Sequence, residues 1–335
     1  MRPRDNRVRA LLIAAVATVL LAAACGREEQ ARPAGTPEPP STLVAFNAQA
    51  GEFTEGVAVD SDGNVFASIS PQGRLVRIAA GTSQATDFGR VEGLQQDDFG
   101  LLGLAVDEGG NVYGAVVSKN PAANGVWRFD VESGEAEHLS GTEKISFPNE
   151  VAVDGDDVYV SDTRGPGDQG AVWRVPANGD AEIWAQGGLL AGNGSFNFGF
   201  PLGANGIEVH DGTVYVGVTE GLKIVSIPIE DDGTAGDVTT FADLSKAGPG
   251  GGPAAVDGVD VDDDGTVYFT APIVHVVFKV SSDGKEFAAI ADASDNLDGP
   301  SSVAIGEDAI YIANFSAALG ESSNMKGPSI VRVPI

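Results

Sequence analysis

Six positions in the chain each stand two residues ahead of the first aliphatic residue of a recurring pentad. The pentads are GVAVD (56–60), GLAVD (103–107), EVAVD (150–154), GIEVH (206–210), GVDVD (258–262) and SVAIG (302–306). The six positions hold Glu55, Leu102, Asn149, Asn205, Asp257 and Ser301. Four of them carry a carboxylate or carboxamide oxygen, the donor type that a hard cation takes. Two carboxylates and two carboxamides neutralise one Ca²⁺ and leave positions for water or substrate. Mg²⁺ suits such a set less well, because it demands tight octahedral geometry and keeps its waters. Asn and Asp are also common turn formers at loop-to-strand junctions. On spacing alone, a cation site and a set of turns both stay open.

The pentads themselves say what would position these side chains. Their first aliphatic residues fall at 57, 104, 151, 207, 259 and 303, so the steps are 47, 47, 56, 52 and 44 residues. A period of roughly 40–50 residues is that of a four-stranded propeller blade. Within each repeat, short alternating segments such as VFASIS and VYVSD are separated by Asp-Gly and Asn-Gly turns, the signature of antiparallel hairpins. No segment has a helical period. The sixth repeat supplies SSVAIG, AIYIANF and SIVRVPI and then lacks a fourth strand, whereas TLVAF (42–46) precedes the first repeat unassigned. Pairing TLVAF as the outer strand of the sixth blade removes an exposed edge. The expected fold is all-β: a six-bladed β-propeller over residues 42–335, with four-stranded antiparallel blades, closed by an N-terminal strand.

Composition narrows the function. With 48 acidic and 20 basic residues among 335, the net charge of −28 repels phosphate backbones, and no basic patch offsets it, so no nucleic-acid partner is expected. Gly 45 and Pro 18 lie well above the average of roughly 12% and indicate many turns. One cysteine excludes a disulfide framework or a multi-cysteine zinc site. That cysteine, Cys25, follows a basic segment (Arg2, Arg4, Arg7, Arg9) and the apolar run from Ala10 to Ala24, too short to span a bilayer comfortably. Residues 1–24 read as a lipoprotein-type signal peptide, Cys25 as the lipidated N-terminus, and the Pro-rich residues 25–41 as a flexible tether. The chain is therefore expected outside the cytoplasm, attached to the membrane through an N-terminal lipid only, or secreted if Cys25 is not lipidated. A monomer is expected.

Several motifs lead nowhere. Asp260-x-Asp262-x-Asp264-Gly265 opens like an EF-hand loop, but its twelfth position is Ala271 where a bidentate Glu is required. The glycines of GPGGGP (248–253) have no flanking βα unit, and no G-x-S-x-G elbow occurs. His138, His210 and His275 fall in different blades with no ligand spacing, and only His275 lies in a loop that could face a site.

TEGVAVD (54–60), PNEVAVD (148–154), ANGIEVH (204–210) and VDGVDVD (256–262) resemble the regucalcin/gluconolactonase family of six-bladed propellers, and its relatives diisopropyl-fluorophosphatase and paraoxonase. The resemblance implies a catalytic calcium at the channel mouth held by Glu55, Asn149, Asn205 and Asp257, with Asp257 as base or nucleophile. The implied activity is hydrolysis of a small-molecule lactone, ester or related compound. Two features depart from the pattern: Asn149 is followed by Glu150 where the family has Asp, and the paraoxonase histidine pair has no counterpart. Loops between second and third strands share the mouth face. They place Lys119, Asp162, Arg164, Glu220, His275 and Asn314 as candidate substrate-lining residues. The alternative is a non-catalytic propeller, similar to NHL-repeat proteins, that binds a small ligand, glycan or protein.

Overall fold

A computed structural model describes residues 38–177, 179–316 and 326–335. The proposed signal peptide and Cys25, and the tether up to residue 37, lie outside the described residues. Twenty-four strands form six four-stranded antiparallel sheets, and no α-helix occurs among the described residues.

The first strand in the chain, β1 (Ser41–Ala45), is the outer strand of the last blade. Blade one follows with β2 (Thr54–Val59), β3 (Val65–Ile69), β4 (Arg74–Ile78) and β5 (Ala85–Arg90). Blade two has β6 (Gly100–Val106), β7 (Val112–Val117), β8 (Gly125–Phe129) and β9 (Ala136–His138). Blade three has β10 (Pro148–Asp154), β11 (Asp157–Asp162), β12 (Ala171–Val175) and β13 (Glu182–Gln186). Blade four has β14 (Ala204–His210), β15 (Thr213–Val218), β16 (Lys223–Pro228) and β17 (Thr239–Asp243). Blade five has β18 (Val259–Val261), β19 (Val267–Ala271), β20 (Val276–Val280) and β21 (Phe287–Ala291). Blade six has β22 (Pro300–Ile305), β23 (Ala309–Asn314) and β24 (Ser329–Pro334), and β1 completes it by pairing Ser41 with Arg332 and Ala45 with Ser329. The ring closes as the strand count requires.

The core lies between blades rather than within them. One cluster joins Ala152, Tyr159 and Val172 of blade three to Ile207, Val216 and Ile227 of blade four. Another joins Val57, Ala67 and Ile78 of blade one to Tyr311 and Ile330 of blade six. Each sheet thus buries its faces against its neighbours, which explains the repeated aliphatic pattern in the inner strands.

The hairpin turns on the face away from the mouth are closed locally. The Asp60 carboxylate accepts from the backbone N–H of Asp62 (3.0 Å) and Asn64 (2.8 Å). Asp107 with Asn111 and Asp262 with Thr266 repeat this device. The EF-hand-like run is therefore a turn, with the Asp262 carboxylate taken up by its own backbone.

Candidate metal centre at the channel mouth

A side chain in a regular strand alternates faces, so residues i and i+3 point to opposite sides. The inner strands break that rule where it matters. In blade one, Thr54 pairs with Ile69 and Val57 with Ala67, so Glu55 and Gly56 form a bulge. The same irregularity takes in Leu102 and Gly103, Asn149 and Glu150, and Asn205 and Gly206. A bulge re-aims the side chains around it. Here it lets Asn205 face the mouth while Glu208, three residues on, also faces the channel.

Hydroxyls on the second strands secure the bulged segments. The N–H of Gly56 donates to Ser68 Oγ (2.7 Å), that of Glu150 to Ser161 Oγ (3.0 Å) and that of Gly258 to Thr270 Oγ1 (2.8 Å). Neighbouring inner strands press closely together at this level. A Cβ on Gly56 would lie 2.3 Å from the Leu102 carbonyl oxygen, and one on Gly206 would lie 2.3 Å from that of Asp257. Glycine is needed there for close approach.

Glu55, Asn149, Asn205 and Asp257 thus begin the inner strands of blades one, three, four and five on one face. Glu55 and Asp257 are partly buried, and Asn149 and Asn205 are buried. The two carboxyls interact. Burial, then the Asp257 carboxyl, pushes Glu55 well above the usual carboxylate range. Burial pushes Asp257 up to about 7, opposed by a hydrogen bond from the Asn205 side chain. Asn205 Nδ2 also donates to Thr219 Oγ1 (2.9 Å), which fixes the carboxamide. Glu55 Oε2 is buried and has no hydrogen-bond partner. Of the remaining two ring positions, Ser301 donates its hydroxyl to the Glu55 carbonyl (2.7 Å), and Leu102 is buried and apolar. Among the described residues, no group of three or more His, Cys, Asp or Glu side chains gathers as a metal site. The mouth offers two carboxyls supplemented by two carboxamides.

Below the mouth the channel contains a cavity of about 200 Å³ whose polar lining is Glu150, Glu208 and Asp260. Glu150 spans it from blade three: one carboxyl oxygen accepts from Ile207 N–H (3.0 Å) and the other from Ser302 Oγ (3.2 Å). Burial, then the Glu55 carboxyl, raises it well above the ordinary range. Ring-position logic passed over Glu150, yet a signal was present. It occupies the position held by glycine at residues 56, 103, 206 and 258.

The six expected lining residues divide into two groups. Lys119 and Arg164 are exposed, and the Arg164 guanidinium lies 5.9 Å over the Phe200 ring. His275 is partly exposed, with its Nδ1 accepting from Gly299 N–H (2.9 Å). Asp162, Glu220 and Asn314 are buried and occupied. Asp162 accepts from the N–H groups of Ser146 (3.0 Å), Phe147 (2.8 Å) and Gly165 (2.9 Å) and from Trp173 Nε1 (3.1 Å). Glu220 accepts from the N–H groups of Asn193 (2.8 Å), Gly194 and Phe196 (2.9 Å). Asn314 accepts from Asp298 N–H (3.0 Å) and donates to the Asn296 carbonyl (2.8 Å). These three hold loops in place, with their side-chain oxygens engaged by loop N–H groups. Loop N–H groups outside any ladder must find acceptors, and these side chains supply them.

No protein-family model matches the chain, and no curated protein matches it in sequence. Solved structures match in fold. A gluconolactonase of Xanthomonas campestris is 19% identical with a TM-score of 0.61, covering 91% of this chain and 99% of that one. Regucalcin of Agrobacterium tumefaciens, described as a calcium-binding protein, is 13% identical with a TM-score of 0.64, covering 89% and 93%. The pyrroloquinoline-quinone-bound aldose sugar dehydrogenase of Streptomyces coelicolor is 16% identical with a TM-score of 0.59, covering 89% and 97%. At these identities the likeness is one of fold, and the fold serves more than one chemistry.

Proposed function

We propose that the chain is a calcium-dependent hydrolase of lactones, esters or related small molecules, working outside the cytoplasm on a lipid anchor at Cys25. The observation that carries this reading is the orphaned Glu55 Oε2, a buried carboxyl oxygen beside the Asp257 carboxyl, which the Asn205 carboxamide hydrogen-bonds. An unpaired buried carboxylate is costly. The donor set fits a cation that prefers six to eight oxygens and tolerates irregular geometry. Glu55, Asn149, Asn205 and Asp257 would hold it, with the other positions left to water and substrate. A bound calcium would polarise a carbonyl or phosphoryl oxygen. The names of the gluconolactonase and regucalcin among the fold neighbours support the same reading.

Asp257 carries the proton chemistry. Burial raises its carboxyl to about 7 in the metal-free chain, and a bound cation would hold it ionised, the form that accepts a proton. It takes a proton from a water whose oxygen adds to the substrate carbonyl, and returns that proton to the alkoxide as the ester C–O bond breaks. Alternatively its oxygen attacks the carbonyl, the alkoxide leaves with a proton from water, and water then hydrolyses the acyl-enzyme. Asn205 orients the Asp257 carboxyl by hydrogen bonding, and Ser301 fixes the Glu55 backbone.

Initial rates on a panel of lactones, esters and organophosphates, with calcium and with a chelator, test the proposal. Calcium-dependent turnover lost in Asp257→Asn is expected. Calcium binding without turnover across the panel would instead support a propeller that only binds. The anchor has its own test: Cys25→Ala should release the protein from the membrane fraction or block its maturation.

A further inference from the structure

Three loops on the mouth face bring four phenylalanines together. Phe99 lies between β5 and β6, Phe147 between β9 and β10, and Phe198 and Phe200 between β13 and β14. Ring centroids are 5.1 Å apart for Phe99–Phe147, 5.2 Å for Phe147–Phe200, 5.3 Å for Phe198–Phe200 and 6.2 Å for Phe99–Phe198. The quartet is closed on itself. Phe147 is buried and stands two residues ahead of Asn149, while Phe99 and Phe198 are each 45% exposed. Leu102, the one apolar ring position, begins the inner strand of the same sector.

The sector is held in place. Glu220 accepts three backbone N–H groups of the loop that carries Phe198, and Asp162 accepts that of Phe147. The same bonds consume the carboxylates that would otherwise recognise hydroxyl groups there. What this side of the mouth offers a ligand is phenyl surface, with Arg164 over Phe200 at its edge. Exposed aromatic clusters rimmed by polar groups mark contact sites, and apolar walls with few polar groups are typical of small-molecule pockets.

We infer that the phenylalanine quartet is an apolar subsite beside the candidate metal centre, so that the substrate is a lactone or ester bearing an alkyl or aryl group rather than a bare sugar lactone. This rests on the hydrolase reading above.

The test is a series of γ-lactones with side chains of increasing length, plus a sugar lactone, assayed in calcium with the full mature protein. Matched γ-lactams, which are not turned over, are measured by calorimetry. Wild type should gain about fourfold in kcat/KM per added methylene over the first few, corresponding to about 0.8 kcal/mol for each buried CH₂. Phe198→Ala should cut that gain below about twofold, Phe198→Leu should restore it, and Ile183→Ala, an exposed apolar residue on β13, should leave it intact. A flat series with calcium-dependent turnover overturns the subsite and leaves the hydrolase reading standing. No turnover, with lactam affinity that climbs with chain length and falls in Phe198→Ala, supports the subsite while ending the hydrolase reading. Flat lactam binding without turnover ends both. Loss of binding to phosphatidylglycerol vesicles in Phe198→Ala, with the chain-length gain unchanged, assigns the quartet to a membrane surface and overturns the proposal.

Discussion

The channel holds two carboxyl pairs. Glu55 and Asp257 meet at the mouth, and Glu208 and Asp260 meet about 10 Å deeper, three residues further along the inner strands. Burial is the first cause that raises all four above the ordinary carboxylate range. Their partners differ. The deeper pair is tied to backbone: Asp260 accepts from Val261 N–H (2.6 Å) and Ile305 N–H (2.7 Å), and Glu208 accepts from Val209 N–H (2.8 Å). At the mouth, Asp257 has the Asn205 carboxamide and Glu55 Oε2 has nothing. Two buried acids satisfied by the chain are structure. Two acids that the chain leaves short of partners are where the proposed cation would bind.

Substitutions that treat the pairs alike should separate them. Asp257→Asn should lower turnover by about 10²–10⁴, the usual contribution of a general base, and weaken calcium binding modestly. Asp260→Asn should change turnover less than about threefold. Comparable losses in steady-state rates would erase the distinction.

Calcium gives the next largest effect. A cation bridging four blades should stabilise by mass action about 2.7 kcal/mol at a hundredfold excess over Kd, roughly 5 °C in melting temperature. Glu55→Gln should reduce calcium affinity at least tenfold by calorimetry, and Glu208→Gln should leave it within about twofold. The reverse order would move the site to the floor of the channel.

Melting temperature against pH sharpens the comparison. Asp257 and Asp260 both titrate near 7 in the folded chain and near 4 when unfolded. Between these values the folded state binds more protons, so stability of the chelated protein should fall as pH rises from about 4 to 7. Calcium should cancel the mouth pair's share of that fall, because it favours the ionised carboxylates. Asp260→Asn should remove the floor's share whether or not calcium is present. A pH profile unchanged by calcium would contradict the mouth assignment.

The smallest effect is expected at Glu150. Its carboxyl is pushed toward the neutral form, and Gln keeps its shape, still accepts from Ile207 N–H and donates to Ser302 Oγ in place of accepting from it, so Glu150→Gln should cost less than about 1 kcal/mol in denaturant unfolding.

The blades were legible in the sequence because every inner strand packs against the same kind of neighbour, so GVAVD recurs with small changes. The N-terminal strand was legible because the last repeat lacked a partner for Ser329–Pro334. The placement of Glu55, Asn149, Asn205 and Asp257 at the starts of the inner strands was readable from their constant offset to that repeat. The loops were not. Asp162, Glu220 and Asn314 sit where a lining residue would sit, but position along the chain does not show that unpaired loop N–H groups claim their oxygens. The phenylalanines escaped notice for a related reason: Phe99, Phe147, Phe198 and Phe200 come from three loops of unequal length and have no period to count.

A crystal structure of the mature protein at millimolar calcium tests the central claim most directly. The account predicts an ion at the channel mouth coordinated by at least three of Glu55, Asn149, Asn205 and Asp257. An empty mouth, or an ion seated between Glu208 and Asp260 instead, would contradict it.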